Sequence, residues 1–270
     1  MIGKKIVELE SIDSTNAYAN KLLLHNPLED GVVIWAHEQF AGRGQLDHIW
    51  VSETGKNLTF TVIFRPVFLP PDRQFLLNKV VALAVIDFIG TSVANVSAVS
   101  PVRAESPGSS GIINPSVSIK WPNDIYVGDL KIGGILIEHK IMGNRLETTL
   151  AGIGVNINQT HFTPDIPNPG SLIQFLHRET SLKDSLLLVC RYLDLRYNTL
   201  KESGPESLDF DFNQHLLGFG KWRKFTCLED TLEGKIRGVN SLGQLLIETQ
   251  KGEILEFNHS EIEYILKETV

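Results

Sequence analysis

The spacing of hydrophobic and polar positions predicts the elements of the first half of the chain. Residues 5–9 predict a strand, and the stretch "GVVIWAHEQ", which is rich in Val and Ile, predicts another. The stretch "NLTFTVIFRPV" alternates well enough to predict a third strand. After the first strand, Asp13, Ser14 or Thr15 can cap a predicted helix that runs to about Leu24. The segment "PPDRQFLLNKVVALAVIDFIGTSV" opens on prolines and continues as a long apolar helix, which we expect to lie against a sheet.

The second half predicts a meander, helices and a β tail. The stretch "SIKWPNDIYVGDLKIGGILIEHKIMGNRLETTLAGIGVNIN" predicts a strand to Trp121, a Pro-Asn-Asp turn, and antiparallel strands with turns at "GD" and "MGN". Residues 182–216 have a helical pattern that is broken at Gly204-Pro205. The tail has short strands with turns at "ED", "SLG" and "KGE", which indicates a small all-β module of about 50 residues.

Residues 95–118 differ from their surroundings. Ser, Pro and Gly dominate "NVSAVSPVRAESPGSSGIINPSVS", and no periodicity survives, which predicts a loop. Structureless loops of this length are uncommon inside a compact domain, so the segment is either functional or an insertion. We expect it to be mobile and dispensable for activity.

Composition and charge exclude several classes of protein. The chain has 270 residues, 42% of them hydrophobic, and a net charge of −7, which disfavours binding to a phosphate backbone. We expect no transmembrane segment, because charges interrupt each apolar run, and no signal peptide, so the protein is predicted to be cytoplasmic. Cys190 and Cys227 lack metal-ligand spacing and are predicted to be buried thiols rather than nucleophiles.

Two features suit an anionic ligand. In Gly42-Arg43-Gly44-Gln45, backbone N–H groups can face an anion and the arginine can fork onto phosphate or carboxylate oxygens, although a solvated surface loop has the same pattern. Lys120 lies in an apolar strand beside a tryptophan, where an ammonium must pair or extend to water; an exposed lysine on the outer face is the alternative.

Two further features suit a neutral ligand held close to the backbone. Gly133-Gly134 weakens a strand unless something approaches its backbone closely, or unless the pair marks a β-bulge. Ser14-Thr15-Asn16 and Gln39 are neutral donors and acceptors that match an amide or urea better than a charged group. Helix capping is the alternative explanation for the serine.

In this order, "STN", "EQFAGRGQ", "IKWPNDIYVGDLKIGGILIE" and "GIGVNIN" resemble the biotin protein ligases in sequence and spacing. The resemblance covers nearly the whole chain, and the KWPND–GG segment is its most specific part. It implies an α+β fold in which a mixed, largely antiparallel sheet is flanked by helices. Residues 1–217 would form the catalytic domain, and residues 218–270 a small SH3-like β-barrel.

The resemblance also implies an activity and its cofactors. The protein would be an ATP-dependent biotin–[acetyl-CoA-carboxylase] ligase that activates biotin as biotinyl-5′-AMP and transfers it to a lysine of a biotin carboxyl carrier protein. ATP, Mg²⁺ and biotin would bind, and no residue is assigned to the Mg²⁺. We expect a monomer or homodimer with no nucleic-acid or membrane partner.

Site residues follow from the same resemblance. Lys120 and Arg43 would be catalytic, with Lys120 contacting both the biotin carboxylate and the α-phosphate. ATP would be bound by Arg43, Gly44, Lys120 and Asn156. The biotin site would comprise, besides Lys120, a ureido-binding set, loop residues and a pocket wall: Ser14, Thr15, Asn16, Gln39, Gly44, Gln45, Gly133, Gly134 and Ile135.

The chain departs from the family in two places. Relatives usually continue GRGQ with a glycine and a small or basic residue, whereas this chain has Leu46-Asp47-His48, which adds a negative charge beside the expected anion site. Some relatives carry an N-terminal helix-turn-helix, whereas this chain starts at the predicted catalytic strand, so we expect no repressor role.

Two alternatives stay open at this point. A lipoate or octanoate ligase, or an octanoyltransferase, shares the fold, but the transferase needs a cysteine nucleophile and a lipoate site has no use for groups that match a urea. A non-catalytic binder of biotin or its adenylate is the other alternative, and only the two cations, Lys120 and Arg43, argue against it.

Overall fold

A computed structural model describes the fold for most of the chain. The residues it describes are 1–25, 28–45, 49–99, 116–164, 166–227 and 230–266. Asp47 and residues 100–115, on which two of the expectations above fall, lie outside the described residues.

Over these residues the strands form two sheets with helices around them. The strands of the larger sheet are β1 (Ile6–Ile12), β2 (Val33–Gln39), β3 (Asn57–Phe64), β4 (Val117–Lys120), β5 (Asp124–Val127), β6 (Leu130–Met142) and β7 (Arg145–Asn156). The helices are α1 (Thr15–His25), α2 (Phe75–Val99), α3 (Ile173–Leu176), α4 (Leu182–Ser203) and α5 (Glu206–Gln214). The smaller sheet contains β8 (Trp222–Cys227), β9 (Asp230–Val239), β10 (Leu245–Thr249), β11 (Ile254–Phe257) and β12 (Ile262–Tyr264).

The larger sheet is mixed and largely antiparallel, as expected. Its strand order is β1-β2-β3-β7-β6-β5-β4, and among these pairs only β1 and β2 run parallel. The predicted meander from β4 to β7 is confirmed, with β4 at the edge, where the proline after Trp121 disturbs no ladder. Registers Gly134↔Gly154 and Leu136↔Gly152 place glycines of β6 and β7 together in the middle of the sheet.

Helix α2 corrects two of the expectations. The segment Pro71–Ala94 is apolar and long enough to cross a membrane, with a mean hydropathy of 1.7 over an 18-residue window, but 72% of that window is buried inside the protein, so its hydrophobicity serves the core. The helix also continues to Val99, and β4 begins at Val117. Residues 95–99 and 117–118 therefore belong to regular elements rather than to a loop.

The predicted helical region ends where the breaker suggests. Ser181 caps α4 by accepting a hydrogen bond from the Asp184 N–H at 3.2 Å. The helix ends at Ser203 and is followed by Gly204, whose φ of +81° favours glycine. Pro205 then precedes α5, because proline cannot continue the hydrogen bonding of α4.

The smaller sheet is antiparallel throughout, with strand order β11-β10-β9-β8-β12. Its turns at "SLG" and "KGE" contain Gly243 and Gly252 at φ of +90° and +81°, as the predicted turns require. Trp121 joins the two sheets: its indole N–H donates to the Gly243 carbonyl at 3.0 Å, and its ring meets His259 at 5.8 Å. The boundary between residues 217 and 218 stays a prediction.

Candidate active site

A cavity of about 810 Å³ lies on the larger sheet and is closed on one side by residues of the smaller sheet. This volume is typical of a small-molecule site. Gly133 does not line the cavity; a side chain there would meet the Gly154 carbonyl at 2.9 Å, so this glycine permits close strand pairing. The other sequence-predicted residues all line it: Ser14, Thr15, Asn16, Gln39, Arg43, Gly44, Gln45, Lys120, Gly134, Ile135 and Asn156.

Neutral polar side chains form a hydrogen-bonded network on one wall. Gln39 Oε1 accepts from the Thr15 N–H at 2.8 Å and lies 3.0 Å from the Thr15 hydroxyl. Thr61 Oγ1 lies 2.8 Å from Thr15 Oγ1 and 2.6 Å from Asn16 Oδ1. Asn16 Nδ2 donates to the Glu138 carboxylate at 2.8 Å. The network therefore presents amide and hydroxyl groups, which suit a neutral polar ligand.

Helix α1 positions the side chains of this wall, because its first residues lie at the cavity. Ser14 precedes the helix and accepts a long 3.5 Å bond from the Ala17 N–H, which is a weak form of the expected cap. The cap uses an oxygen lone pair, so the Ser14 hydroxyl hydrogen remains available inside the cavity. Gly152 lets the helix approach, since a side chain there would meet Asn16 Oδ1 at 2.6 Å.

The floor of the cavity is a glycine shelf, formed by Gly134 and Gly154, on which Trp50 lies. A Cβ at Gly154 would stand 2.5 Å from the Trp50 indole, and one at Gly134 would stand 3.1 Å from it. A bulge between Ile125 and Tyr126 also disturbs the β5–β6 ladder at this point. Both explanations offered for the glycine pair therefore apply, and Trp50 is a site residue that no motif predicted.

The loop between β2 and β3 is closed by backbone contacts at its two ends. The Trp50 N–H donates to the Gly42 carbonyl at 3.0 Å, and Arg43 bridges to Ile49. A Cβ at Gly42 would stand 2.5 Å from the Trp50 carbonyl oxygen, so only glycine fits here. Arg43 is exposed at the rim of the cavity, where its guanidinium can reach a ligand that extends outwards.

Two lysines line the cavity, and one of them contacts the smaller sheet. Lys120 Nζ lies 5.7 Å from the centre of the Tyr264 ring, a cation–π contact. Burial raises the pKa of Tyr264, so that ring stays a neutral phenol. Lys131 Nζ lies 2.6 Å from Asp124 Oδ1, and both side chains are partly buried. This pair was not predicted, although the lysine directly precedes "IGG" and the aspartate ends "WPND" in the sequence.

Asn156 closes the cavity on the β7 side. It is 6% exposed, and its Nδ2 donates to the Gly170 carbonyl at 2.9 Å. Its Oδ1 is buried, and the described residues offer it no hydrogen-bond partner. An unpaired buried acceptor is costly, which suggests that a ligand group or cation completes it.

The smaller sheet contributes a wall of the cavity that was not predicted from the sequence. Residues 259–264, which include β12, line the cavity together with Thr226 of β8. The contact of Trp121 with Gly243 and His259 holds this wall against the larger sheet. Local sequence could not have indicated it, because the two sheets meet through residues more than a hundred positions apart.

Comparisons with known proteins place these features in a family. The family described as "Biotin/lipoate A/B protein ligase family" matches residues 8–156. The bifunctional ligase/repressor BirA of Bacillus spizizenii is 27% identical over 257 residues, which are 93% of this chain and 72% of that protein. The biotin–[acetyl-CoA-carboxylase] ligase of Paracoccus denitrificans is 34% identical over 149 residues, or 55% of this chain and 53% of that protein.

A solved structure gives the same picture of the fold. The biotin protein ligase from Aquifex aeolicus, in complex with biotin and ATP, superimposes with a TM-score of 0.72 at 24% identity. The superposition covers 96% of this chain and 98% of that one, so it includes both sheets.

Proposed function

Because the chain belongs to the biotin/lipoate A/B protein ligase family, we propose that it is a biotin–protein ligase. It joins biotin to AMP with release of pyrophosphate, and then transfers the biotinyl group to a lysine of a carrier protein. The relatives named as biotin ligases support this choice within the family.

One observation carries the proposal: the cavity has a neutral polar wall and a cationic end. Asn16 lies 3.5 Å from the Leu136 carbonyl of β6, whereas Lys131 is five residues earlier on that strand. The Lys131 side chain reaches forward, however, because its Nζ lies 2.6 Å from Oδ1 of Asp124, which pairs with Gly134. The ammonium and the Asn16 amide are therefore separated by about two strand residues, or roughly 7 Å along β6. A ligand with a neutral cyclic urea at one end and an acid at the other matches this arrangement. Lipoate has no urea, so the neutral wall favours biotin.

The cations serve the first step. A biotin carboxylate oxygen attacks the α-phosphorus of ATP, so that an O–P bond forms while the bond from phosphorus to pyrophosphate breaks. Both reactants are anions, and Lys120, Lys131 and Arg43 offset their repulsion and stabilise charge on the phosphoryl oxygens. Lys131 is held by Asp124, which places its ammonium before the ligand arrives. Lys120 would contact both the carboxylate and the α-phosphate.

Mg²⁺ fits this end of the cavity. The described residues contain no cluster of three His, Cys, Asp or Glu side chains that could hold a metal alone. Asn156 Oδ1 and the Asp124 carboxylate are oxygen ligands of the kind that Mg²⁺ accepts alongside waters and phosphates. When bound, Mg²⁺ would neutralise phosphate charge.

The remaining residues bind and shield the intermediate. Thr15, Asn16, Gln39 and the Ser14 hydroxyl would hold the ureido ring, and Gly134 with Ile135 would wall the pocket. Gly44 and Gln45 belong to the loop that would cover the mixed anhydride, which hydrolyses in water. A carrier lysine then attacks the carbonyl carbon, loses a proton, and displaces AMP. No protein nucleophile is required.

The same proposal covers the partner and the setting. We propose a biotin carboxyl carrier domain as acceptor, a cytoplasmic location, a monomer or homodimer, and no nucleic-acid or membrane partner. The division into residues 1–217 and 218–270 is supported by the smaller sheet, which spans Trp222–Tyr264. The small domain supplies a wall of the cavity, so both domains are needed for activity.

Pyrophosphate exchange tests the proposal. The protein is incubated with MgATP and labelled pyrophosphate, with biotin, with lipoate, or with neither. Biotin-dependent exchange, followed by mass addition to a carrier-domain lysine, is the expected result. Exchange that lipoate supports and biotin does not would favour a lipoate ligase. Tight biotin binding without any exchange would indicate a non-catalytic binder.

A further inference from the structure

We propose that Thr61 is a positioning residue for the ligand, although it lies behind the cavity wall. It is fully buried on β3 and does not line the cavity. Its hydroxyl is the link between Thr15 and Asn16, at 2.8 and 2.6 Å. The inference rests on the proposed function, because it concerns how the urea group of biotin is recognised.

The orientations of the two amides in the network are fixed by their neighbours. Asn16 must direct its nitrogen towards Glu138, because an ionised carboxylate only accepts hydrogen bonds, so its oxygen faces Thr61. Gln39 must direct its oxygen towards Thr15, because the Thr15 backbone N–H donates to it at 2.8 Å. The hydroxyls of Thr61 and Thr15 therefore lie between two acceptors, the amide oxygens of Asn16 and Gln39.

A count of hydrogens shows that the wall is one hydrogen short. Three oxygen–oxygen contacts join Asn16, Thr61, Thr15 and Gln39, at 2.6, 2.8 and 3.0 Å. The two threonine hydroxyls supply only two hydrogens for these three contacts. One contact is left unfilled, and the shortest one, between Thr61 and Asn16, most needs a hydrogen.

The missing hydrogen determines which hydrogen-bonding groups of a ligand this wall can bind. When Thr61 donates to Asn16, the Thr15 hydrogen can fill either the 2.8 Å contact to Thr61 or the 3.0 Å contact to Gln39, and the shorter contact needs it more. Gln39 Oε1 then keeps a lone pair for a donor from the ligand. The Ser14 hydroxyl hydrogen is available for an acceptor. The wall is thus set to receive one N–H and one C=O, which is the pattern of a urea. Thr61 sets this polarity without touching the ligand.

Valine at this position tests the idea, because it keeps the shape and removes the hydroxyl. In Thr61→Val, Thr15 can donate to Gln39, which fills the acceptor that the ligand needs. We expect the KM for biotin to rise about 10- to 100-fold, the range for a lost bond that strands a buried partner. The values of kcat and of the KM for ATP should change less than about twofold, and Thr61→Ser should restore the KM for biotin.

Thr59→Val is the matched control. Thr59 lies two residues earlier on the same face of β3 and is as buried, but its hydroxyl donates to the Ala36 carbonyl at 2.7 Å and takes no part in the network. It should lower the melting temperature without raising the KM for biotin. A biotin analogue with a cyclic carbamate in place of the urea lacks one N–H. Compared with biotin, it should bind much more weakly to the unmodified protein, and this difference in affinity should be smaller in Thr61→Val.

A second variant covers the case in which Thr61→Val does not fold. Glu138 is exposed, so Glu138→Lys should fold; because an ammonium only donates hydrogen bonds, Asn16 must turn its oxygen towards it and its nitrogen towards Thr61, which reverses the chain of donors. We expect a smaller rise in the KM for biotin. An unchanged KM in this variant, or equal effects of Thr61→Val and Thr59→Val, would overturn the inference. Absence of biotin-dependent exchange in the unmodified protein would instead refute the proposed function.

Discussion

Replacing Gly152 by alanine tests whether helix α1 and the sheet meet as closely as the structure requires. The new Cβ would stand 2.6 Å from Asn16 Oδ1, whereas ordinary contact begins at 3.4 Å, so the amide must retreat by about 0.8 Å. Its bonds to Thr61 and Glu138, at 2.6 and 2.8 Å, would then stretch beyond hydrogen-bonding range. Two lost bonds of about 0.5–1.5 kcal/mol each amount to about 1–3 kcal/mol.

If Asn16 binds the ureido ring, this loss appears in biotin binding. We expect the KM for biotin in pyrophosphate exchange to rise roughly 5- to 150-fold, with the KM for ATP unchanged. Gly90→Ala is the control, because a Cβ at Gly90 in α2 meets nothing within 4 Å and alanine favours a helix. A folded Gly152→Ala protein with an unchanged KM for biotin would show that Asn16 does not contact the ligand.

Three further predictions concern the cations, the shelf and acid stability. Lys120→Ala and Lys131→Ala should each lower biotin-dependent exchange about 100-fold without changing the circular dichroism spectrum; retained exchange would remove that lysine from the mechanism. In Gly154→Ala, the methyl group would lie 2.5 Å from the indole of Trp50, so the indole should leave the shelf and the tryptophan emission should shift to the red; unchanged emission would contradict this packing. Burial lowers the pKa of His139 from 6.5 to about 4. As the pH falls, the unfolded chain therefore takes up a proton at this histidine before the folded protein does. The free energy of unfolding should fall by about 3 kcal/mol between pH 6.5 and 4. Urea unfolding of His139→Gln should show a flatter fall over that range, and an equally steep one would exclude this histidine as the cause.

Local patterns were enough to predict most of the elements. The alternation in β3, the proline-led apolar helix α2 and the turns of the meander depend on neighbouring residues, and the structure confirms them. The motifs also identified residues that gather in one cavity, from Ser14 just before the first helix to Asn156 at the end of the last strand of the larger sheet. What failed locally was the end of α2, because Ser and Val at residues 97–99 do not by themselves stop a helix.

Contacts between distant parts of the chain were decided only by the tertiary structure. Asn16 meets Glu138 across 122 residues, and Lys131 meets Asp124 across the β5–β6 ladder. Thr61 carries no motif, and it became a candidate only when β3 placed its hydroxyl between two residues of α1. Strand order and register determine which side chains face each other, and burial decides whether a polar group must find a partner. Neither is encoded in the spacing of residues along one segment.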